Sequence, residues 1–174
     1  TDPNNLTTTS QYDYLDRLVQ VTDPLSHSVQ YAYNLVGELI TETDAKNQET
    51  THAYDALGRR IRKVDAIAGT TSLYYYSDTW QVLAEYDGSG VLQASYAYGN
   101  YIDEVLLMRR GGADYFYLHD HLYSPAALLS SSGAVVERYE YDVYCTCHIL
   151  DSSFGIRASS LYGNPYTFTG RELD

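Results

Sequence analysis

The sequence lacks the features that mark membrane-spanning and nucleic-acid-binding proteins. No apolar run approaches the 18 or so residues of a membrane helix, and the densest patch, Val105 to Met108, is far shorter. Residues 1–10 are polar, so nothing there resembles a signal peptide. Only 11 Lys and Arg stand against 23 Asp and Glu, which gives a net charge of −12. Such a surface repels phosphate groups, so we expect no nucleic-acid partner. The lack of a long apolar run predicts no membrane insertion.

Phenylalanine and tryptophan are also scarce, with 3 and 1 residues, whereas tyrosine occurs 20 times in the 174 residues. Tyrosine favours strands, and it joins an apolar ring to a hydroxyl that stays near water. The hydrophobic fraction of 44% and the charged fraction of 20% are typical of a globular protein. The composition therefore predicts half-buried β-sheet.

Motifs of common enzyme classes are missing. The sequence contains no Gly-x-Ser-x-Gly elbow, no phosphate-binding Gly-x-x-x-x-Gly-Lys loop and no Gly-x-Gly-x-x-Gly fingerprint. The carboxylates recur with the repeat described next, which favours a role in turns over acid–base catalysis. We therefore predict that the protein is not an enzyme.

A repeat of about 21 residues runs through the chain. The best copies begin at Tyr12, Tyr33 and Tyr54, at spacings of 33 − 12 = 21 and 54 − 33 = 21. Weaker copies begin near residues 76, 98, 117, 141 and 162. A regular period of this kind indicates a repeat architecture.

Each copy predicts a β-hairpin. Asp or Asn follows the tyrosine and accepts backbone N–H groups in a turn, as at Asp55. Glycine three residues later, Gly37 and Gly58 in the best copies, supplies the positive φ that closes a short loop. We predict an all-β array of antiparallel hairpins that forms a curved or coiled sheet, with almost no helix.

Tyrosines pair at a spacing of two, which places both rings of a pair on one face of a strand. Repetition from hairpin to hairpin lines these rings into rows. The predicted rows comprise Tyr31, Tyr33, Tyr74, Tyr76, Tyr96, Tyr98, Tyr115, Tyr117, Tyr139 and Tyr141. Packing against neighbouring strands is the favoured use of these rings, and stacking on the sugars of glycans is the competing one.

The motif Tyr-Asp-x-x-Gly-Arg, intact at residues 54–59, resembles the signature of YD (RHS) repeat proteins. Residues 117–130, 133–142 and 162–174 resemble the RHS-associated core. The resemblance implies two segments, 1–113 of YD-repeat hairpins and 114–174 of core-like sequence continuous with the same sheet. The sequence departs from the family pattern at Tyr123 and Cys145, where the pattern has glycine.

Proteins of this family are large surface or secreted proteins whose hairpins wrap into a hollow shell around a toxic polypeptide, or which act in adhesion. The resemblance implies an extracellular or cell-surface location. The core of the toxin carriers cleaves itself by an aspartate-dependent reaction. That machinery is expected beyond Asp174, so we carry over no catalytic residue.

Cys145-Thr146-Cys147-His148 is the segment most suggestive of chemistry beyond packing. It is one residue shorter than the Cys-x-x-Cys-His that attaches c-type haem, so covalent haem with His148 as axial ligand is one alternative, and zinc or copper is another. Two free thiols or disulfides, within or between chains, are the favoured interpretation. His119-Asp120-His121 also offers two imidazoles that could bind a metal. The favoured interpretation is that these two histidines form a hydrogen-bonded structural pair.

The sequence thus predicts a structural protein without a cofactor, either a wall segment of a secreted or surface shell or a subunit of an extracellular β-rich assembly or fibre. Open terminal strands predict self-association or contact with the rest of a longer protein. The alternative is a binding module, for glycans through the tyrosine rows or for haem in an electron-carrying filament.

Overall fold

The computed structural model describes residues 6–170 and contains one 15-stranded sheet in which the strands follow one another in sequence order. The first eight strands are β1 (Thr9–Tyr12), β2 (Leu18–Thr22), β3 (Ser28–Tyr33), β4 (Leu39–Thr43), β5 (Glu49–Tyr54), β6 (Arg60–Asp65), β7 (Thr70–Tyr76) and β8 (Val82–Asp87). The others are β9 (Leu92–Tyr98), β10 (Val105–Arg110), β11 (Ala113–His119), β12 (Pro125–Ser130), β13 (Val135–Tyr141), β14 (Cys147–Asp151) and β15 (Ile156–Arg157). The predicted all-β array of antiparallel hairpins is confirmed.

Helix is nearly absent from residues 6–170, where a single 3-10 turn at Phe168–Gly170 is the one helical element. No helix within this range is long and apolar enough to cross a membrane.

The chain divides into two compact units. The first is Thr1–Tyr74 with Asp87–Gly90, and the second is Tyr75–Tyr86 with Val91–Asp174. Side chains that are almost completely buried, such as Met108 and Leu128, belong to the second unit. In the first unit Thr50, 8% exposed, is the one buried residue among those described, so its sheet is a single layer with little core of its own. The predicted segment boundary after residue 113 remains a prediction.

The hairpin turns are built on one side-chain oxygen. Asp55 Oδ1 accepts hydrogen bonds from the backbone N–H groups of Leu57 (2.9 Å) and Arg59 (3.0 Å). Asp55 Oδ2 accepts a hydrogen bond from Nε of Arg59 (2.6 Å). The backbone N–H of Gly58 donates to the Asp55 carbonyl at 3.1 Å. Gly58 has a φ of 78°, so the loop is a turn closed by a left-handed residue, with a bulge in the adjoining strand pair. The N–H of Arg59 and then its guanidinium hold the pKa of Asp55 below its ordinary value.

The same turn recurs at both edges of the sheet. Its first residues are Asp13, Asp23, Asn34, Asp44, Asp55, Asp120, Asp142 and Asp151, each of which accepts the N–H groups two and four positions later. In the first unit they are spaced 23 − 13 = 10, 34 − 23 = 11, 44 − 34 = 10 and 55 − 44 = 11 residues apart. Each 21-residue period of the sequence therefore contains two structural repeats of 10 or 11 residues. Each structural repeat is one strand with its turn, and successive turns lie at opposite edges.

From β1 to β7 tyrosine distinguishes the two edges, because it precedes the turns at one of them and not at the other. The Tyr33 hydroxyl donates to the Leu18 carbonyl at 2.9 Å, and Tyr54 donates to Leu39 at 2.8 Å. Tyr98 and Tyr141 make the same bond in the second unit, to Val82 and Pro125. Each hydroxyl satisfies a carbonyl at the start of the preceding strand, beyond the end of the main-chain ladder.

An arginine completes the contact between neighbouring turns of the first unit. Arg17 holds the carboxylate of Asp13 (Nε to Oδ2, 2.7 Å) and donates to the Asn34 carbonyl of the next turn at 3.1 Å. Its guanidinium lies over the Tyr33 ring, 4.9 Å from the centroid. Arginine suits this position since its planar group can hydrogen-bond and stack at the same time.

The last position of the turn is left-handed whether or not glycine occupies it. Gly37 has a φ of 95°, and Tyr123 and Cys145 have φ values of 60° and 65°. The turns have thus kept their shape at the two positions where the sequence departs from the family. A non-glycine residue in this region costs on the order of 1 kcal/mol.

We expect Cys145→Gly to raise the free energy of unfolding by about 0.5–1 kcal/mol, because it relieves this backbone cost. Chemical denaturation monitored by circular dichroism checks the change. Cys145→Ser is the matched control, since it removes the thiol and keeps the strained backbone. An equal gain in both variants would place the cost in the thiol and contradict the backbone explanation.

Candidate functional site on the tyrosine face

The ten tyrosines of the predicted rows all turn at least part of their surface away from solvent. Tyr96, Tyr117 and Tyr139 are buried and the other seven are half-buried. The rings of the second unit pack edge to face, as where Tyr166 meets Tyr96 at a centroid distance of 5.2 Å and an angle of 87°. These rings form packed contacts, which favours the structural use of the rows over an open platform for sugars.

After β15 the chain leaves the sheet and residues 158–170, here called the covering segment, lie against the tyrosine face of the second unit. Tyr166 is 5% exposed, and its hydroxyl lies 2.6 Å from that of Tyr98. The Tyr117 hydroxyl donates to Oδ1 of the buried Asn164 at 2.6 Å. The sequence repeat predicted another hairpin near residue 162. The covering segment forms none, because its polar groups bond to the face below them.

Glu137 fixes the start of the covering segment. Its side chain is 0% exposed and accepts three hydrogen bonds, from the Tyr139 hydroxyl, from Ser160 Oγ (2.6 Å) and from the Leu161 N–H (2.9 Å). A buried carboxylate is tolerated only where such donors satisfy it. The position of the segment therefore depends on this one side chain.

A second, partly buried polar group includes one of the tyrosines of this face. Arg110 Nη2 donates to Glu85 Oε2 at 2.6 Å and to the Tyr96 hydroxyl at 3.1 Å, and Tyr96 in turn donates to Glu85. The three residues come from β10, β8 and β9, so the group ties three strands together. Arg110 Nε is buried and has no partner among the described residues.

The electrostatics keep these phenols protonated. Burial, and then the charge of Glu85, raises the pKa of Tyr96. Burial also raises the pKa of Tyr117 and of Tyr139, where the hydrogen bond to Glu137 adds to the effect. The hydroxyls therefore act as neutral donors that hold the segment and the carboxylates in place.

The end of the covering segment approaches another loop so closely that only glycine fits. Gly170 has a φ of 68°, and a Cβ there would lie 2.2 Å from the Asp103 carbonyl oxygen. The N–H of Thr169 donates to Ser124 Oγ at 3.0 Å. Both ends of the segment are thus attached to the second unit.

Comparison with known families agrees with this architecture. The profile of the Teneurin YD-shell matches residues 4–156. The chain belongs to the Teneurin YD-shell family. No curated protein sequence matches this YD-shell chain.

Solved structures share the fold at low sequence identity. A Tc holotoxin pore of Photorhabdus luminescens aligns with a TM-score of 0.54 and 15% identity over 86% of this chain and 9% of its own. The TcdB2–TccC3 structure without its hypervariable C-terminal region aligns with a TM-score of 0.52 and 18% identity, over 79% of this chain and 8% of its own. The TcdB2–TccC3–Cdc42 structure aligns with a TM-score of 0.54 and 15% identity, over 94% of this chain and 10% of its own. The chain therefore spans about a tenth of the length of the structures it matches.

The Cys-x-Cys-His segment of the YD-shell chain lies in a turn and the strand after it. Cys145 is exposed at the left-handed position, and Cys147 and His148 begin β14 opposite Tyr141 and Glu140. Neighbours on a strand point to opposite faces, so Cys147 and His148 do not face one ligand together. Both thiols are free. Haem attachment remains a prediction that this geometry does not favour.

The two histidines of the other candidate site take different roles. His119 ends β11 in the place that tyrosine has in other copies, and its ring stacks on Tyr117 at 5.9 Å. Burial lowers the pKa of His119. Asp120 begins the turn and His121 is exposed in it. Within residues 6–170 no group of three or more His, Cys, Asp or Glu is placed to hold a metal ion.

Sequence reasoning missed Glu137, Glu85 and Arg110. For Glu137 a signal existed, because it shares the alternation of Tyr139 and Tyr141 along β13 and so lies on the tyrosine face. Glu85 and Arg110 gave no comparable signal, since their partners come from other strands.

We expect Glu137→Ala to lower the free energy of unfolding by about 2–4 kcal/mol, because it leaves the buried Tyr139 hydroxyl and the partly buried donors of Ser160 and Leu161 without their acceptor. Hydrogen exchange should show lost protection first in the covering segment. Glu140→Ala, on the exposed side of the same strand, is the control and should change little. Equal effects of the two substitutions would contradict the assigned role.

Stability should fall as the pH rises above about 10, the ordinary tyrosine pKa. Because the folded pKa values of Tyr96, Tyr117 and Tyr139 are raised, the unfolded state loses these protons first and is favoured at high pH. We expect a late step in tyrosinate absorbance to coincide with loss of the circular dichroism signal. Full ionisation of all tyrosines while the fold persists would contradict this account.

Proposed function

We propose that this YD-shell chain forms part of the wall of a larger extracellular shell and has a structural rather than a catalytic role. The observation that carries the proposal is the repeated turn, which adds strands to one sheet without a change in geometry through most of the chain. A wall of any length can be made by repeating such a unit, because each strand contacts only its neighbours.

The tyrosine face supports a structural role as well. The carboxylates on this face, the partly buried Glu85 and the buried Glu137, accept hydrogen bonds from within the sheet and from the covering segment. The phenols beside them are held in their neutral form. These groups therefore stabilise a fold, and they offer no activated nucleophile to a substrate.

Association with further parts of a larger assembly is included in the proposal. The aligned structures are much longer than this chain, and they include a Tc holotoxin pore and a structure of TcdB2 with TccC3. By analogy the chain would be joined to further wall in a secreted or surface-displayed protein. A free-standing fibre remains the alternative form of the same structural role.

The test is to isolate the native polypeptide with an antibody against this chain from both cell-bound and secreted material. Its intact mass, its visible absorption spectrum and negative-stain electron micrographs are then measured. We expect a polypeptide heavier than the 19.6 kDa of this chain, hollow particles in the micrographs and no haem absorption.

A cytoplasmic monomer of 19.6 kDa would contradict the wall proposal. Absorption in the haem Soret region would move the function to Cys145, Cys147 and His148, provided that the Cys145→Ser and Cys147→Ser double variant abolishes it. Specific retention of the purified chain on a glycan array would instead favour the binding module.

A further inference from the structure

The second unit contains an open cavity of about 200 Å³ between the β7–β8 turn, the β9–β10 loop and the end of the covering segment. Four of the residues that line it are aromatic, namely Tyr76, Trp80, Tyr98 and Tyr166. Three of them come from the sheet and its turn, and the fourth comes from the covering segment. Aromatic rings therefore form a large part of the cavity wall.

The arrangement of these rings gives the cavity a corner. The rings of Tyr98 and Tyr166 are at an angle of 88°, with their centroids 6.3 Å apart. Trp80 is 54% exposed and occupies the left-handed position of the β7–β8 turn, with a φ of 69°. Glycine would adopt this conformation without cost, so the turn does not require tryptophan there. The side chain instead adds a further aromatic surface to the cavity.

Most of the polar groups in the wall already have partners. The Tyr98 hydroxyl donates to the Val82 carbonyl at 3.0 Å and lies 2.6 Å from the Tyr166 hydroxyl. The Gln81 side-chain nitrogen donates to the Ile102 carbonyl at 3.3 Å, and its oxygen accepts a hydrogen bond from a neighbouring hydroxyl. A sugar, or another ligand rich in hydroxyl groups, would find few of these groups open to it.

Asp103 is the exception among these polar groups. It is half-buried in the cavity wall, and its carboxylate makes no hydrogen bond or ion pair with any residue of the range 6–170. A carboxylate shielded from water without a partner favours a cation beside it. The net charge of −12 also draws cations to the protein.

The wall chemistry selects among cations. A divalent metal ion needs several oxygen ligands, and the described residues place no three acidic, histidine or cysteine side chains together. A primary ammonium group needs several hydrogen-bond acceptors, of which the wall offers one free carboxylate. A quaternary ammonium group needs none, because its methyl groups pack on ring faces and its charge is attracted by their quadrupoles.

We propose that this cavity binds a quaternary ammonium cation of the choline class, with the trimethylammonium group against Trp80 and Tyr98 and its charge balanced by Asp103. The inference does not rest on the wall function, because it depends only on side chains within the second unit. The loss of either proposal would leave the other standing.

The test is titration of the purified full chain with choline chloride at constant ionic strength, followed by tryptophan fluorescence excited where tyrosine contributes little. Trp80 is the one tryptophan of the sequence, so the signal comes from the cavity wall. We expect a saturable change with a dissociation constant of about 1 mM or below. Absence of a saturable response up to about 20 mM choline overturns the proposal.

The matched ligand is 3,3-dimethylbutan-1-ol, which has the shape of choline without its charge. It should bind the natural chain about tenfold more weakly, because cation–π attraction and the carboxylate no longer contribute. Equal binding of the two ligands overturns the proposal. This comparison needs no variant, so it decides the question even where a substitution prevents folding.

Asp103→Asn removes the charge at nearly constant size and should raise the dissociation constant for choline about tenfold. Asp78→Asn is the matched control, because Asp78 is exposed in the β7–β8 turn and lies outside the cavity wall. It should leave the dissociation constant within about twofold of the natural value. Melting temperatures verify that both variants are folded, and equal effects of the two substitutions overturn the proposal.

The same cation occurs in free choline and in the headgroup of phosphatidylcholine, and a parallel titration with phosphatidylcholine vesicles distinguishes these sources. A response to choline alone supports the proposal and assigns a soluble ligand. Responses to choline and to vesicles, both weakened in Asp103→Asn, support it and assign the headgroup. A response to vesicles alone, unchanged in Asp103→Asn, reflects contact with the bilayer outside the cavity and overturns it.

Discussion

The structure depends on hydrogen bonds from two backbone N–H groups to one side-chain oxygen, an arrangement found at most of its hairpin turns. A three-residue loop leaves these donors without a partner in the main-chain ladder, and aspartate or asparagine at the first position supplies the acceptor. The first unit shows how much rests on this bond, because Thr50 is its one buried residue among those described. Its single layer relies on the turns and on the contacts between them.

The dependence on turns explains why the chain uses tyrosine where other sheet proteins use phenylalanine. The ring before the turn packs against its neighbours, and its hydroxyl reaches a carbonyl that the ladder has left open, as Tyr33 does at Leu18. Phenylalanine would provide the first contact and not the second. In the second unit tyrosine hydroxyls take a further role, since those of Tyr98 and Tyr117 bond to the covering segment.

Much of the fold could be predicted from the sequence because its information is local. Tyrosine, Asp or Asn and glycine at fixed offsets define a turn without knowledge of distant residues, as at Asp55 and Gly58. The opposite-edge turns were harder to recognise because no tyrosine precedes Asp23 or Asp44. The covering segment was misassigned since Tyr162 and Gly163 resemble another copy of the repeat. Only contacts with Glu137 and Tyr117, distant in sequence, decide its path.

The turns also restrict how such a chain can change in length. Every strand is joined to the next by a turn at the alternate edge, so one strand fewer reverses the direction of all strands that follow. The tyrosine-preceded turns downstream would then move to the other edge, away from the turns that they contact. Loss or gain of two strands together, about 21 residues, leaves every later turn at its own edge. Duplication in this lineage is therefore expected to proceed by strand pairs. Insertion of an odd number of strands would require different residues at the later turns, because those turns would lie at the other edge.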